Sequence, residues 1–319
     1  MRAGRRGRAA LAVRRPSITV LGIAYAATSL IINGFQAALT AVVPDRFPEH
    51  KINLASALVG VGLNAGVLAG SLIFVWLPDF AGSKGYYLMA ALIVTTAVIF
   101  ALAGPDADSR HLPREPFRLG RFLAKFWISP RKHPDFGWVF LARVLLMLGY
   151  FLVFAYFFYA LQDYAGFSAD KALATAGTLF AVNGAASVVG SMVAAPLADR
   201  LDRLKVFVIV SGVGLALSLV IPLVLRSYTG MMTFSLANGF AFGVYMAVDT
   251  ALVNKVLPQA EDAAKDLGVM NMSIGFPQIL SASLGAAIVG TIGYRGLFAV
   301  AGVITLAGAV AVLPVRKVR

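Results

Sequence analysis

The chain has 319 residues, 59% hydrophobic and 13% charged, with mean hydropathy +0.79, a net charge of +13 and no cysteine. Soluble domains carry about 25% charged residues, so this balance excludes a soluble enzyme, and the missing cysteines exclude disulfides, thiol catalysis and thiolate metal sites. The excess of lysine and arginine lies in short loops without any nucleic-acid motif, which makes a lipid bilayer the expected partner and excludes nucleic acid.

In chain order, a basic tail over 1–16 carries six arginines, Arg2, Arg5, Arg6, Arg8, Arg14 and Arg15. Apolar runs follow at about 17–43, 53–77 and 86–103, then a basic linker over 104–136. Six more runs lie at about 137–161, 172–197, 206–225, 229–252, 267–291 and 296–314. Each run reaches the ~18 residues a membrane-crossing helix needs. None alternates with period two, so helices rather than barrel strands are expected. The fold class is therefore all-α integral membrane, with about nine spans: three in a partial first half (17–103) and six in a second half (137–319).

Lysine and arginine are unevenly shared between alternate loops. The loops near 44–52, 104–136, 198–205 and 253–266, with the C-terminal tail, hold seventeen, and the remaining loops hold four. The first set, with the C-terminus, is expected in the cytoplasm and the chain in the cell membrane. An odd number of spans then puts the arginine-rich N-terminus outside, against the same rule, and this conflict leads us to expect further spans upstream.

An internal repeat supports that expectation. Residues 35–48 align with 245–258 at a constant offset of 210, matching Thr40 with Thr250, Ala41 with Ala251, Val43 with Val253 and Pro48 with Pro258. Each copy closes a span and turns through a short loop ending in proline. Six spans separate the copies, so the unit is six helices, the complete plan is twelve, and three are expected ahead of residue 1.

Charge is rare inside the spans. Only Arg143, in the fourth, and Asp249, in the seventh, are charged residues there. Each costs at least ~2.5–3.5 kcal/mol in a bilayer core, so such residues are read first as paired or functional. Spans four and seven run in opposite directions, which puts both groups at similar depth near one end. An ion pair between them, or an Asp249 that takes a proton, is the expected charged element. The plainer reading is that each side chain reaches to the interface and anchors its helix. The repeat partner of Asp249 is Leu39, so the charge is not scaffold common to both copies.

Tyr156-Phe-Phe-Tyr159 marks the outer half of the fourth span, where rings suit a sugar face or, more commonly, an interfacial belt. Asn33, Gln36, Asn183, Asn271 and Gln278 are neutral polar groups at membrane depth, each explicable by a helix–helix hydrogen bond. Gly62, Gly66 and Gly70 repeat at four-residue spacing, a close-packing face. His50, His111 and His133 lie in separate loops without metal-ligand spacing, so no metal or other cofactor is expected. No phosphate-binding loop, nucleophile elbow or carboxylate cluster is present, so no enzyme is expected.

The loop after the fifth span, Ala195-Pro-Leu-Ala-Asp199-Arg200-Leu-Asp202-Arg203-Leu-Lys205, resembles the G-x-x-x-D-R-x-G-R-K loop of the major facilitator superfamily, with Ala195 and Asp202 in place of the two glycines. The resemblance implies a twelve-helix transporter, of which these spans are helices 4–12, and a gating role for Asp199, Arg200 and Arg203. Within that superfamily, Gly268-Val-Met-Asn271-Met-Ser-Ile274-Gly-Phe-Pro277-Gln278-Ile-Leu-Ser281, with Asn33-Gly-Phe-Gln36 and Gly62-Leu-Asn64-Ala-Gly66, is similar to motifs of the sucrose–proton and glycoside–pentoside–hexuronide symporters. Ser29 stands where those symporters have an acidic residue seven positions before the glutamine. The resemblance implies proton-coupled movement of a small polar solute, such as a sugar, with Arg143, Asp249, Asn33, Gln36, Tyr156, Tyr159, Asn271 and Gln278 along the pathway. Two rival readings are an antiporter that exports drugs or metabolites, and a transport-incompetent fragment.

Overall fold

The computed structural model describes isolated residues between 20 and 70, residues 83–103, and residues 129, 131–201, 203–257 and 263–318. The chain divides into two compact units, Met1–Val42 and Val43–Arg319. In the first, the described residues between 20 and 42 are all helical. Asn33 and Gln36 lie outside the described residues.

The second unit is helical almost throughout its described residues, with no strand among them. Its helices are α1 (Ser83–Ala103), α2 (Pro134–Tyr159), α3 (Ala169–Leu201), α4 (Leu204–Ser218), α5 (Val220–Val224), α6 (Tyr228–Val256) and α7 (Ala263–Ala311). Five stretches among the described residues are long and apolar enough to cross a bilayer: Pro134–Tyr164, Lys171–Ala198, Leu204–Val224, Tyr228–Val256 and Asp266–Ala311. The last contains Gly293 at φ 69° and ψ −174°. That backbone is open to glycine and strained for other residues, and it parts α7 into two lengths matching the eighth and ninth runs of the sequence.

Local chemistry sets the ends. Pro134 begins α2, where its missing N–H would have had no helical partner. A five-residue π-helical turn, Ala160–Tyr164, follows α2, and the chain leaves it at Gly166, φ +77°. Ser227 caps α6 by accepting from the Gly230 N–H at 3.2 Å. At its other end, Leu257 adopts φ −53° and ψ 135°, the extended backbone required before Pro258.

Packing is pairwise: α2 lies along α7, α3 along α6, and α4 touches both α6 and α7. Two core clusters occupy opposite ends. One gathers Val139, Leu146, Leu204, Tyr245, Leu252 and Val315, and the other Leu152, Phe157, Leu179, Phe234, Leu297 and Phe298. The first lies at the end carrying the α3–α4 loop and the C-terminal tail, called here the basic end.

Glycines permit the closest approaches. A Cβ at Gly239 would collide with the Asn183 carbonyl, and one at Gly243 with the Ser187 carbonyl, so α3 and α6 meet backbone to backbone. Among the described residues, none comes within 4 Å of a Cβ built at Gly62, Gly66 or Gly70. The α3–α6 seam is also sewn by polar groups. Asn183 Nδ2 donates to the Ser235 carbonyl at 3.2 Å and to Asn238 Oδ1 at 3.4 Å, and Asn238 Nδ2 donates to Ser218 Oγ at 2.9 Å. Asn183 thus makes the interhelical hydrogen bonds that its depth in the sequence suggests.

Candidate functional site

Arg143 lies on the stripe of α2 that also buries Val139, Ala142 and Leu146. That stripe returns every three to four residues to one helix face, and the face turns into the bundle. On α6, Asp249 occupies the matching stripe with Tyr245, Val248 and Leu252. The two helices therefore aim opposite charges at one point. Arg143 Nη2 stands 2.8 Å from Asp249 Oδ2, with side-chain exposures of 9% and 2%. Neither group reaches out to an interface.

Depth follows from the helix ends. Arg143 is nine residues from the start of α2 and Asp249 seven from the end of α6, roughly 14 and 11 Å along the axes. The apolar run of the seventh span stops near residue 252, but the helix continues a turn further. The carboxylate is accordingly about two turns inside the helix end.

A third residue completes the group. Tyr245, 1% exposed, donates its hydroxyl to Asp249 Oδ1 at 2.7 Å from one turn earlier on α6. The carboxylate is thus held on one oxygen by a phenol and on the other by a guanidinium. The Arg143 approach lies off the N–H axis: among the described residues, Asp249 Oδ2 and Arg143 Nε each lack an aligned hydrogen bond. The contact is close as an ion pair and incomplete as a hydrogen-bonded one, so hydrogen-bonding capacity remains unused at its centre.

Toward the opposite end, the α2–α6 seam is aromatic. The Tyr150 ring stacks on Phe154 at 4.2 Å and on Phe242 at 4.1 Å between centroids. Phe154 continues to Phe180 at 5.5 Å. A small gap beside the stack is bounded by Leu146, Gly149, Tyr150, Leu215, Asn238 and Thr305.

The other sequence-derived candidates are dispersed. Tyr156 donates to the Ala282 carbonyl at 2.6 Å, tying α2 to α7, and its ring fills the space a side chain at Gly285 would take. Tyr159 is 52% exposed. Asn271 is exposed and Gln278 half-buried, and among the described residues no polar contact joins either amide to the ion pair. Of the loop residues, Arg200 and Arg203 are exposed, and the side chain of Asp199 lies outside the described residues. Among the described residues, the cation of that loop with defined partners is Lys205, which donates to the carbonyls of Leu313 and Val315 beyond the end of α7.

Sequence reasoning passed over Tyr245, Lys205, Asp135 and Asp266. The signal for Tyr245 lay in the repeat: it aligns with Phe35, as Asp249 aligns with Leu39, so hydroxyl and carboxylate appear together in one copy. Asp135 and Asp266 are 9% and 1% exposed although each lies just outside an apolar run.

Comparison with known proteins gives the wider setting. The family model described as Major Facilitator Superfamily matches residues 9–204 and, in a second match, 171–319. An MFS-type transporter of Aspergillus fumigatus is 23% identical over 289 residues, covering 85% of this chain and 64% of the relative. The chain thus spans just under two thirds of that curated relative's length.

Proposed function

Because the chain belongs to the Major Facilitator Superfamily, we propose that it serves as a secondary transporter, moving a small polar solute across the cell membrane by alternating access. A sugar is the first solute class to test, from the resemblance to proton-coupled sugar symporters. On this reading the basic end faces the cytoplasm, following the lysine and arginine bias, and protons supply the driving gradient.

One observation carries the proposal: a 2.8 Å ion pair buried between α2 and α6. A well-packed apolar pair of similar volume is commonly as stable or more so than a buried ion pair. Intramembrane charge is therefore expensive unless it is used. The group has what a switch needs. Asp249 can hold a proton when Arg143 withdraws, Arg143 can move to a solute oxygen through its unused Nε–H, and Tyr245 keeps the carboxylate in place meanwhile. Proton and solute would then be alternative partners of the same two side chains, which couples their movement.

A second reading, export of an amphipathic drug or metabolite, draws on the stacked Phe154, Tyr150 and Phe242 rings beside the pair. The separating experiment uses purified chain in proteoliposomes with an imposed pH gradient. Labelled hexoses, pentoses and disaccharides are compared with lipophilic cationic dyes. Gradient-driven accumulation of a sugar supports the first reading, and dye extrusion without sugar movement supports the second. Neither activity in folded, correctly inserted protein would overturn both.

A further inference from the structure

The tail after α7 is fixed by side chains from two other helices. Lys205 holds the carbonyls of Leu313 and Val315, the second at 3.0 Å. Asp135 accepts from the backbone N–H of Arg316 through Oδ1 at 3.0 Å and from that of Lys317 through Oδ2 at 2.8 Å. Val315 and Val318 are 2% and 5% exposed, so the tail is packed as well as hydrogen-bonded.

This clamp leaves cations in reserve. Asp135 is occupied by peptide groups, not by side-chain cations, so the guanidinium of Arg316 and the ammonium of Lys317 stay exposed. Just upstream of Asp135, a turn is closed by the Ser129 carbonyl, which accepts from the Lys132 and His133 N–H groups at 3.1 Å. That turn presents Arg131 and Lys132, both exposed. Arg203, exposed at the start of α4, sits two residues from Lys205. The clamp thus gathers five exposed cations on a fixed backbone. Among the described residues none of the five has a carboxylate partner. Trp138 and Leu313, 39% and 52% exposed, give the same region apolar surface.

We propose that the clamped tail, with Arg131, Lys132, Arg203, Arg316 and Lys317, forms a docking surface for the headgroup of an acidic phospholipid at the basic end of the bundle. A headgroup phosphate needs several donors of positive charge, and the clamp fixes the backbone that carries them, which lowers the ordering cost of binding. Each cation close to an anionic lipid surface contributes a factor of about five in affinity. The apolar flank favours a lipid over free phosphate, because an acyl chain can lie against Trp138 and Leu313. The surface requires only that the helices cross a bilayer, not any particular solute.

The test uses the full chain in nanodiscs of phosphatidylcholine doped with spin-labelled phosphatidylglycerol or spin-labelled phosphatidylcholine. The fraction of each label immobilised by the protein gives the relative affinity. A several-fold preference for phosphatidylglycerol is expected, and it should disappear in Arg316→Gln/Lys317→Gln/Arg131→Gln/Lys132→Gln. These four side chains take no part in the clamp's hydrogen bonds, and circular dichroism and monodispersity confirm that the variant folds. Lys84→Gln/Lys171→Gln, outside the patch, should keep the preference. Equal immobilisation of both lipids by the parent chain, or undiminished preference in the quadruple variant, would overturn the proposal. So would displacement of the labelled lipid by millimolar inorganic phosphate at constant ionic strength, since that identifies a free-anion site.

Discussion

Arg143, Asp249 and Tyr245 form a unit in which each member is costly alone. Removing one partner of a buried ion pair leaves an uncompensated charge, at ~3–5 kcal/mol. Asp249→Leu and Arg143→Met should each destabilise the chain by that order, whereas Arg143→Met/Asp249→Leu should recover most of the loss. Chemical or thermal unfolding in one detergent checks this through a double-mutant cycle, and additive losses would show that the two charges do not interact. Tyr245→Phe removes one hydrogen bond to a charged acceptor and should cost ~1.5–3 kcal/mol with little change in packing. The two charges were legible in the sequence because they interrupt apolar runs. Tyr245 was not, since a tyrosine in an apolar run reads as one more aromatic until its partner is known.

At the scale of helices, hydropathy located every described span of 137–319 but not where the helices end. Helices α3 and α6 begin and end beyond the apolar runs of 172–197 and 229–252, because intrahelical hydrogen bonding does not stop where lipid gives way to headgroups. The π-helical turn at Ala160–Tyr164 had no hydropathy signal, since it changes hydrogen-bond register rather than composition. The α3–α6 seam was half visible: Asn183 stood out, but Asn238 and Ser218 matter only through contacts across long sequence separations. That seam also yields a prediction. Gly243→Ala and Gly239→Ala force a methyl against a backbone carbonyl and should cost ~1–3 kcal/mol as overpacking. Gly290→Ala, with open space around it, should be neutral or slightly stabilising in the same unfolding assay.

For the molecule as a whole, the lysine and arginine distribution does two jobs. It biases orientation in the bilayer, and through Lys205 it fastens the tail after α7 to the start of α4. The loop motif suggests Asp199, Arg200 and Arg203 as gate residues, and among the described residues of that loop the side chain with a defined contact is Lys205. Sequence could not reveal this because the acceptors are backbone carbonyls more than a hundred residues away. Lys205→Met should therefore loosen the tail, raising hydrogen exchange at residues 313–318 while leaving α6 protected. Unchanged exchange there would show that the tail holds itself.

The most direct measurement is gradient-driven solute uptake by Arg143→Leu/Asp249→Leu in proteoliposomes, beside the parent chain. The apolar pair preserves helix packing without buried charge. The account predicts a folded, inserted protein that no longer accumulates solute against its gradient. Accumulation at the parent rate would contradict it, leaving the ion pair a structural tie and nothing more.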